Sequence, residues 1–407
     1  MSGSVNVVGA GLVGLASALA LQNAGFDVTV VDRGPVGEGA SFGNASQIAT
    51  ASVVPQSVPG IWGQTLRLLR DPEGPLIARP AYIARNLSWF LRFLANGNAA
   101  QAERGTLAMA AMLGKAWDSW RPVVEQVGAQ HLVRRSGALH VFRTRAALEA
   151  SRRGYDTRRS LGIDAVELGI DDAMAHEPAL APTLAGAVHL PGMGYVSDTL
   201  GLSQLLAARL RQGGGQVLRA DVGSIDNRGI TTSLGRLDAD QTVLAAGAWS
   251  PRFGAALGLR LPVVSERGYH CMLAPGSSPV RMPLLLVERK MAVTPMVQGV
   301  RMASVAEFTA PDARADHDRA ARVFGQLGDW VQGLDATPVS RWVGPRPSTP
   351  DSRPVLGRAP GAPNVLLACG HGHLGLTLAA LTGEVIADLA RGRTPAIDME
   401  AVSPLRF

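Results

Sequence analysis

Apolar residues recur along the chain in runs that predict strands alternating with helices, the pattern of an α/β protein. At the N-terminal end, residues 5–26 carry no charge. Within this run, residues 5–8 have the length of a buried strand, and the stretch from Leu12 to about Asn23 has that of a helix. Residues 27–32 then predict a second strand, so a parallel βαβ unit is expected at the start of the chain.

The rest of the chain divides into a helical part and parts with strand character. Residues 56–135 have apolar positions at helical spacing and are rich in tryptophan and arginine. Residues 136–195 and 263–345 alternate in part between apolar and polar positions, as strands do. Near the C-terminal end, residues 364–369 predict a buried strand that leads through a glycine-rich turn into a helix from about Leu376. Because no internal repeat or low-complexity linker appears, we expect one integrated body.

The uncharged N-terminal run is also long enough to be a membrane span or a signal peptide. Two features argue against both: no positive charge precedes the run, and its glycines fall at Gly9, Gly11 and Gly14. A G-x-G-x-x-G turn between strand and helix, followed by a strand that ends on an acid, predicts a dinucleotide site.

Each fingerprint residue has a physical task. Gly9 makes the sharp turn, Gly11 lets the backbone approach a pyrophosphate, and Gly14 allows the helix to pack closely on the strand. Asp32 is placed to accept hydrogen bonds from the adenosine ribose. The small and polar stretch 33–49 suits FAD better than a nicotinamide cofactor, because the flavin ring extends far beyond the first βαβ unit.

The composition predicts a globular protein with a large core. The 407 residues are 46% hydrophobic and 18% charged, which suits two domains or one domain interrupted by another. The net charge of +6 is almost all arginine, because Lys115 and Lys290 are the only lysines. No basic run with interleaved aromatic residues appears, which argues against nucleic-acid binding. Cys271 and Cys369 are too few for a disulfide scaffold, so a reducing, cytoplasmic setting is expected.

Cys369, His371 and His373 stand at alternate positions in the stretch "CGHGH". A structural metal site needs more ligands, and no second Cys/His pair stands elsewhere to supply them. The stretch also joins a strand to a helix through glycines, and such a turn presents backbone N–H groups and the positive end of a helix dipole. We therefore expect no metal here, but a helix N-terminus beside the edge of a flavin that gains negative charge on reduction.

Several segments resemble the FAD-dependent D-amino-acid oxidase and glycine oxidase superfamily. They are "VVGAGLVGLASALALQNAGFDVTVVDR", "GASFGNASQI", "TVLAAGAWS", "SERGYH", "GPRPSTPDSRPVLG" and "CGHGHLGLT". The chain is most similar to its bacterial D-amino-acid dehydrogenases, including those that oxidise cis-4-hydroxy-D-proline. The resemblance implies a Rossmann-like FAD-binding domain interrupted by an α+β substrate-binding domain with a mixed or antiparallel sheet. The expected FAD-binding domain comprises residues 1–55, 196–262 and 346–407, and the substrate-binding domain comprises 56–195 and 263–345.

The resemblance and the fingerprint together imply which residues hold FAD. Val222 is expected beside the adenine, and the turn after residue 369 beside the flavin. Some amine-oxidising relatives attach flavin to a cysteine near "GPRPSTPD", where this chain has none, so we expect non-covalent FAD. The expected cofactor-binding residues are Gly9, Ala10, Gly11, Leu12, Val13, Gly14, Asp32, Arg33, Ser41, Asn44, Ala45, Gln47, Ile48, Val222, Ala246, Gly247, Trp249, Gly344, Arg346, Gly372, His373, Leu374, Gly375, Leu376 and Thr377.

The substrate residues implied by the resemblance begin with Arg346. Relatives grip the amino-acid carboxylate with the matching arginine, and the prolines on either side restrict its backbone; Arg353 is the competing candidate. Tyr269 and His270 are neighbours on a predicted strand and point to opposite faces, so at most one of them faces the pocket. Tyr269 would bond the carboxylate, His270 would meet a ring hydroxyl, and His373 would face flavin and substrate.

These expectations lead to FAD-dependent oxidation of a D-amino or D-imino acid to the imine, with hydride transfer to flavin N5 and electrons passed to an acceptor other than oxygen. The expected substrate is cis-4-hydroxy-D-proline or D-proline, and its stereochemistry comes from the resemblance alone. Two alternatives stay open. One is an oxygen-using oxidase of glycine, sarcosine or another secondary amine, and the other is a flavin-binding subunit that needs partner chains.

The tryptophan- and arginine-rich part leaves a membrane contact open. Its helices, with Trp89 between Arg85 and Arg92, either cover the substrate sheet or lie on a membrane near a quinone pool. We expect a quinone or a carrier protein as electron acceptor, no nucleic-acid partner and no transmembrane span. The expected location is the cytoplasm, or the periphery of the inner membrane, and no oligomeric state is predicted.

Overall fold

The computed structural model describes residues 3–71, 74–276, 279–325, 327–333, 335 and 337–407, with side chains at all of these positions except 64, 66, 67 and 319. The α-helices are α1 (Leu12–Asn23), α2 (Ile61–Arg70), α3 (Pro80–Arg85), α4 (Leu87–Ala95), α5 (Ala99–Leu113), α6 (Ala116–Gln126), α7 (Arg145–Ser160), α8 (Ile170–His176), α9 (Thr199–Gln212), α10 (His317–Phe324), α11 (Gly375–Ala390) and α12 (Met399–Val402). Short 3-10 helices lie at Gly247–Phe253, Ala255–Leu257, Leu327–Asp329 and Pro404–Arg406.

The strands fall into two large and two small sheets. They are β1 (Ser4–Val8), β2 (Asp27–Asp32), β3 (Gln47–Ile48), β4 (Leu76–Ala78), β5 (Val133–Arg134), β6 (Ala138–Phe142), β7 (Val166–Leu168), β8 (Gly186–Leu190), β9 (Gly194–Val196), β10 (Gln216–Arg219), β11 (Val222–Asp226), β12 (Gly229–Thr232), β13 (Gly235–Asp238), β14 (Gln241–Leu244), β15 (Val264–Leu273), β16 (Leu284–Leu286), β17 (Met291–Met296), β18 (Gly299–Phe308), β19 (Pro338–Ser348), β20 (Val355–Ala359) and β21 (Ala362–Cys369). The small sheets are β11-β12-β13 and β3-β9-β5.

The first large sheet has the strand order β10-β2-β1-β14-β21-β20. Its strands are parallel except for the edge strand β20, which pairs antiparallel with β21. The apolar helices α1 and α11 pack against each other and share one core with this sheet. The predicted βαβ unit and the Rossmann-like part of the fold are therefore confirmed.

The second large sheet has the order β19-β15-β18-β17-β16-β6-β8-β7, with β4 paired beside β18. The pairs β16–β6 and β18–β4 are parallel and the others antiparallel, so the expected α+β part has a mixed sheet. Strand β19 crosses the expected domain boundary between residues 345 and 346. The detailed division into domains stays a prediction.

Strand β18 carries one extra residue opposite β15. Val305 and Ala306 together oppose Gly268, which makes a β-bulge. Val305 has a φ of 67°, in the left-handed region that β-branched residues avoid. The bulge turns the carbonyl of Val305 toward Arg346, whose Nη1 donates to it at 3.0 Å. A strained backbone position therefore lies next to the arginine singled out from the sequence.

Helices α5 and α6 differ from expectation in what they cover. The buried side chains of both helices join the core around α1 and α11, and Trp120 donates its Nε1 hydrogen to the carbonyl of Leu376 at 3.0 Å. The sequence interpretation placed all of residues 56–195 with the substrate sheet. These two helices instead lie against the first sheet's helices, because α11 is buried along most of its length and requires apolar partners.

Candidate active site

A cavity of about 1260 Å³ separates the two large sheets. Gly9 and Asp32, at the carboxyl ends of β1 and β2, line one part of it, and Glu266 and Arg346, on β15 and β19, line another. Single-ligand pockets commonly have volumes of about 300–1,000 Å³. The cavity therefore has room for a long cofactor and a substrate together.

The fingerprint turn has the geometry that its glycines predict. Gly9 has a φ of 119°, and a Cβ atom on Gly14 would overlap the carbonyl oxygen of Gly9. The carboxylate of Asp32 accepts hydrogen bonds from the backbone N–H groups of Ala10 at 2.7 Å and Gly34 at 2.8 Å. These two bonds fix the carboxylate on the cavity wall, where a ribose would meet it.

The loop after β2 is held by a buried arginine that the sequence analysis did not single out. Nη1 of Arg301 donates to the carbonyls of Phe42 and Asn44 at 2.7 and 3.1 Å and to Oγ of Ser46 at 3.0 Å. Burial lowers the pKa of Arg301 to about 10. Oγ of Ser41 accepts a hydrogen bond from the N–H of Leu12 at 2.9 Å. Together these bonds shape the loop along the cavity.

Cys369, His371 and His373, in and around the turn before α11, have different surroundings. Cys369 is buried at the end of β21, and burial raises its pKa to about 12. His371 is also buried; its Nε2 lies 2.9 Å from Oγ1 of Thr382, and burial lowers its pKa to about 4. His373 lies on the cavity wall beside Gln56. The described residues contain no group of three or more His, Cys, Asp and Glu side chains that could hold a metal ion.

Most of the expected cofactor residues lie on the cavity wall. Five do not: Leu12, Gly14, Ile48, Leu374 and Thr377 pack behind it, where Thr377 accepts a hydrogen bond from the N–H of Ala49 at 3.0 Å. These five therefore support the wall, and a direct contact between any of them and the cofactor stays a prediction. The residues on the wall are Gly9, Ala10, Gly11, Val13, Asp32, Arg33, Ser41, Asn44, Ala45, Gln47, Val222, Ala246, Gly247, Trp249, Gly344, Arg346, Gly372, His373, Gly375 and Leu376.

Arg346 lies on β19, in the second sheet, and lines the cavity. Nη1 of Arg346 donates to Oε1 of Glu266 at 3.2 Å as well as to the carbonyl of Val305. Glu266 is nearly buried, and its Oε2 accepts a hydrogen bond from Ser348 at 2.7 Å. A Cβ atom on Gly268 would overlap the guanidinium of Arg346, so the group rests directly on this glycine. The arginine is thus held in one position with a glutamate at its side.

The competing arginine is engaged elsewhere. Arg353 bonds the carboxylate of Asp351 through Nε at 3.1 Å and Nη2 at 2.8 Å, and it is not on the cavity wall. His373, by contrast, lies near the Arg346 pair. Burial is the main cause that lowers the pKa of His373; the charge of Arg346 acts in the same direction, and that of Glu266 opposes it. His373 is therefore neutral at pH 7.

Neither neighbour in "ERGYH" lines the cavity. The hydroxyl of Tyr269 donates to Oε2 of Glu307 at 2.7 Å on the far face of the sheet, which corrects the expectation that it bonds a substrate carboxylate. His270 points toward the cofactor-binding side, but it is buried under Trp342, with ring centroids 5.3 Å apart. The expectation that it meets a ring hydroxyl is corrected to support of Trp342, which lines the cavity.

The sequence analysis missed Glu266 and Lys290, which also line the cavity. A signal was present for Glu266. Alternation along a strand places Glu266 and Gly268 on one face and Arg267 and Tyr269 on the other. If Gly268 faces the pocket, Glu266 must therefore face it too. Lys290 is one of only two lysines in the chain, a rarity that marks it for attention.

The cavity fits FAD along its length. Helices α1 and α11 both begin at the cavity, and neither N-cap residue makes a side-chain cap bond; apart from the N–H of Leu12, which bonds Ser41, their first-turn N–H groups and positive dipole ends are available to a pyrophosphate and to the flavin edge. The fixed carboxylate of Asp32 lies where the ribose of such a ligand would be. These features are spaced for an elongated dinucleotide rather than for a compact ligand.

Comparisons with known proteins show the family of the chain. The family model described as FAD dependent oxidoreductase (DAO) matches residues 4–389. A D-amino acid dehydrogenase of Cereibacter sphaeroides is 33% identical over 407 residues, covering 96% of this chain and 92% of the relative. A D-amino-acid oxidase of Bradyrhizobium diazoefficiens is 32% identical over 415 residues, covering 99% of this chain and 98% of the relative.

Solved structures share the fold over the whole chain. Glycine oxidase from Geobacillus kaustophilus has a TM-score of 0.79 at 22% identity, with 100% of both chains covered. L-proline dehydrogenase from P. horikoshii has a TM-score of 0.75 at 18% identity, covering 100% of this chain and 98% of that one. With the family model matching nearly its entire length, the chain belongs to the DAO family of FAD-dependent oxidoreductases.

Proposed function

We propose that the protein oxidises D-amino or D-imino acids to imines, with cis-4-hydroxy-D-proline or D-proline as the preferred substrate, and passes the electrons to an acceptor other than oxygen. The names of the relatives that cover nearly the whole chain support a D-amino-acid substrate. The observation that carries the proposal is the position of Arg346. It is a cation held on the cavity wall with part of its guanidinium turned toward open space.

Arg346 is built to take a carboxylate. Pro345 and Pro347 restrict the backbone on both sides, and the hydrogen bonds to Glu266 and Val305 both use Nη1. The edge formed by Nη2 and Nε therefore remains for a bidentate pair with the α-carboxylate of a substrate. Anchoring the carboxylate fixes the direction of the Cα–H bond.

The residues of the chain supply orientation rather than a base at Cα. When bound, FAD accepts the hydride from Cα, while the amine nitrogen gives up a proton and the C=N bond forms. Arg346 holds the carboxylate during this step. Because His373 is neutral, it adds no positive charge near Glu266 and does not repel a cationic group that binds there. Trp89, Phe308 and Trp342 give the wall apolar surfaces that exclude water.

We also propose that FAD is bound without a covalent link. Cys271 lies on the far face of β15, in the core beneath that sheet. Cys369 does line the cavity, but burial raises its pKa to about 12, so it is a neutral thiol. Acid precipitation should leave all of the yellow colour in the supernatant, and colour retained in the pellet would contradict this proposal.

An apolar patch at the cavity supports a quinone as the acceptor, reached from a membrane surface. We define the α2–α4 patch as Trp62, Leu69, Leu87 and Leu91, which are between 41% and 59% exposed and all line the cavity. Large exposed apolar side chains in one cluster are characteristic of interaction surfaces. Among the described residues, no helix is both long enough and apolar enough to cross a bilayer.

Charge near the patch favours an anionic surface. Arg70, Arg85 and Arg92 are exposed on the same three helices, α2, α3 and α4. Apolar side chains bordered by arginines are the pattern of a helix that lies on anionic lipid. Flotation with vesicles that contain anionic lipid should recover the protein, and neutral vesicles should recover less. Equal failure with both would favour a carrier protein as the acceptor.

The experiment that tests the reaction is anaerobic. The FAD-loaded protein is mixed in turn with cis-4-hydroxy-D-proline, D-proline, D-alanine and L-proline, and the visible flavin absorption is followed. We expect the D-imino acids to bleach the flavin fastest and L-proline to leave it unchanged. Equal bleaching by L-proline would contradict the proposal, and hydrogen peroxide release in air at the turnover rate would favour an oxidase.

A further inference from the structure

Two cations, Lys290 and Arg158, line the same cavity as Arg346 but lie farther from the β19 edge of the second sheet. Lys290 directly precedes β17, two strands beyond the β15 glycine on which Arg346 rests, and Arg158 lies on α7. Both side chains contribute to the cavity wall. The proposed imino acid at Arg346 does not require either of them, so they have no role in the site as described above.

Neither cation forms an ion pair within the described part of the chain. The guanidinium of Arg158 donates to the carbonyls of Ala51 and Gly154, both at 2.8 Å. Burial lowers the pKa of both Lys290 and Arg158. By contrast, Arg346 has Glu266 beside it. In the part of the cavity lined by the second sheet and α7, the positive charge without a paired acid therefore lies at Lys290 and Arg158.

The nearby His140, which is affected by the charge of both cations, does not compensate that charge. His140, on β6, is buried with its Nδ1 at 2.8 Å from the hydroxyl of Tyr155. Burial, followed by the charges of Arg158 and Lys290, lowers the pKa of His140 to about 3, so the ring is neutral. Lys290 is exposed and Arg158 is half-buried, and both line the cavity, so an anion that enters there can form charge-assisted hydrogen bonds with both.

We propose that Lys290 and Arg158 form a second anion-binding subsite, which takes the side-chain carboxylate of an acidic D-amino acid such as D-glutamate. The proposal rests on the proposed function, in which Arg346 takes the α-carboxylate. Adjacent strands lie about 4.8 Å apart, so about 10 Å separates the backbone of Gly268 from that of Lys290. A lysine side chain and a short dicarboxylate can span that distance. Acidic substrates are thereby added to the imino acids.

The reaction with D-glutamate balances in the same way as with an imino acid. The Cα–H bond breaks and its electron pair passes as hydride to bound FAD, while the amine nitrogen loses a proton and a C=N bond forms. Water then hydrolyses the imine to a 2-oxo dicarboxylate and ammonium. The side-chain carboxylate is unchanged and serves only to bind.

The first test uses a matched substrate pair that differs only in charge. The kcat/KM ratio of D-glutamate to D-glutamine is measured for the wild type, Lys290→Met, Lys290→Arg and Lys115→Met. Because a charge-assisted bond is lost, the ratio should fall at least about tenfold in Lys290→Met and recover in part in Lys290→Arg. Lys115, the only other lysine, is exposed and outside the cavity, so Lys115→Met should keep the wild-type ratio. An unchanged ratio in Lys290→Met overturns the subsite.

The second test measures binding without turnover. Glutarate and its monoamide, glutaramate, are titrated calorimetrically into FAD-loaded wild type and Lys290→Met. Glutarate should bind the wild type at least about tenfold more tightly than glutaramate, and this preference should disappear in the variant. If the preference holds but no D-amino acid reduces the flavin, the subsite stands and the proposed function fails. If D-proline reduces the flavin but glutarate and glutaramate bind equally, the function stands and the subsite is overturned.

Discussion

Two arginine–glutamate pairs involve neighbouring residues of β15, Glu266 and Arg267, and face opposite sides of the second sheet. Arg267 and Glu307 are 3.0 Å apart, and both side chains are 1% exposed. Arg346 and Glu266 are 3.2 Å apart, with side chains 26% and 6% exposed. The chemistry of the two pairs is the same. Their surroundings decide that Arg267–Glu307, which we call the sealed pair, supports the fold, and that Arg346–Glu266, which we call the open pair, is available to a ligand.

The difference lies in how fully each pair is satisfied. Glu307 also accepts hydrogen bonds from Tyr269 at 2.7 Å and from Arg79 at 3.1 Å, and Arg267 donates to the carbonyl of Ala313. On the cavity side, the bonds of Arg346 use one nitrogen of its guanidinium. In the sealed pair only Nε of Arg267 lacks a partner and no part is open to a ligand, whereas the guanidinium of Arg346 lies on the cavity wall with two nitrogens outside its bonds to the protein.

The largest expected effect is on stability, from breaking the sealed pair. Arg267→Met removes the buried one of the two arginines that bond Glu307 and leaves Arg79 as the remaining counter-charge, so it should lower the free energy of unfolding by about 3 kcal/mol. Denaturant unfolding of the FAD-loaded protein measures the change. Arg143→Met, which breaks an exposed pair with Asp329, is the matched control and should cost far less. Equal losses in the two variants would show that the sealed pair is not a support.

The next effect is on catalysis, from removing the open pair. Arg346→Ala should lower kcat/KM for a D-imino acid at least about 100-fold, because two charge-assisted bonds to the carboxylate are lost. Steady-state kinetics with an artificial acceptor measure it. Arg353→Gln, which removes the competing arginine outside the cavity, should leave kcat/KM within a few-fold in protein that remains folded. Near-wild-type kinetics in Arg346→Ala would remove Arg346 from the site.

A pH-dependent effect should come from the cavity side of β15. Burial is the main cause that lowers the pKa of His270 to about 4, from an ordinary value of 6.5. Between about pH 4 and pH 6.5, His270 is therefore protonated in the unfolded chain but neutral in the folded protein. The part of the free energy of unfolding that depends on His270 consequently keeps its full value above pH 6.5 and falls as the pH is lowered through this range. From pH 7 to pH 5 the loss is about 2 kcal/mol.

Unfolding curves at a series of pH values check this dependence. His270→Gln should show a smaller decline in stability between pH 7 and pH 5 than the wild type, whatever its stability at pH 7. His131→Gln, at an exposed position, should decline as the wild type does. A parallel decline in all three proteins would exclude His270 as a source of the acid sensitivity.

The smallest expected effect is on the seat of Arg346. Gly268→Ala would place a Cβ atom against the guanidinium, so the group must move and KM should rise about tenfold, with a smaller change in kcat. Gly223→Ala is the control, because a Cβ atom there meets its nearest neighbour, the carbonyl of Thr231, at an ordinary 3.8 Å. An unchanged KM in Gly268→Ala would mean that the guanidinium finds an equivalent position.

The cofactor side of the molecule could be predicted from the sequence, because its signals are local. Gly9, Gly14 and Asp32 lie within one βαβ unit, and their spacing alone fixes the turn and the acid beside it. The glycine turn into α11 is local in the same sense, since strand, turn and helix follow one another directly.

The substrate side could not be predicted to the same depth. Contacts such as Arg346 with Glu266 join residues 80 positions apart, and they depend on the register between strands. The packing of α6 on α11 joins segments even farther apart, which no local pattern records. For Tyr269, alternation correctly limits the number of pocket-facing neighbours but does not say which face is which.

The bulge at Val305 changes which face of the sheet the odd-numbered residues of β18 point to. Before it, the odd-numbered Arg301 and Ala303 face the cofactor side; after it, the even-numbered Phe308 does, and the odd-numbered Glu307 meets Arg267 on the far face. Side chains alternate with a period of two, so deletion of the extra residue would interchange the faces of every residue on one side of it. The single extra residue in β18 therefore keeps the carboxylate of Glu307 out of the cavity.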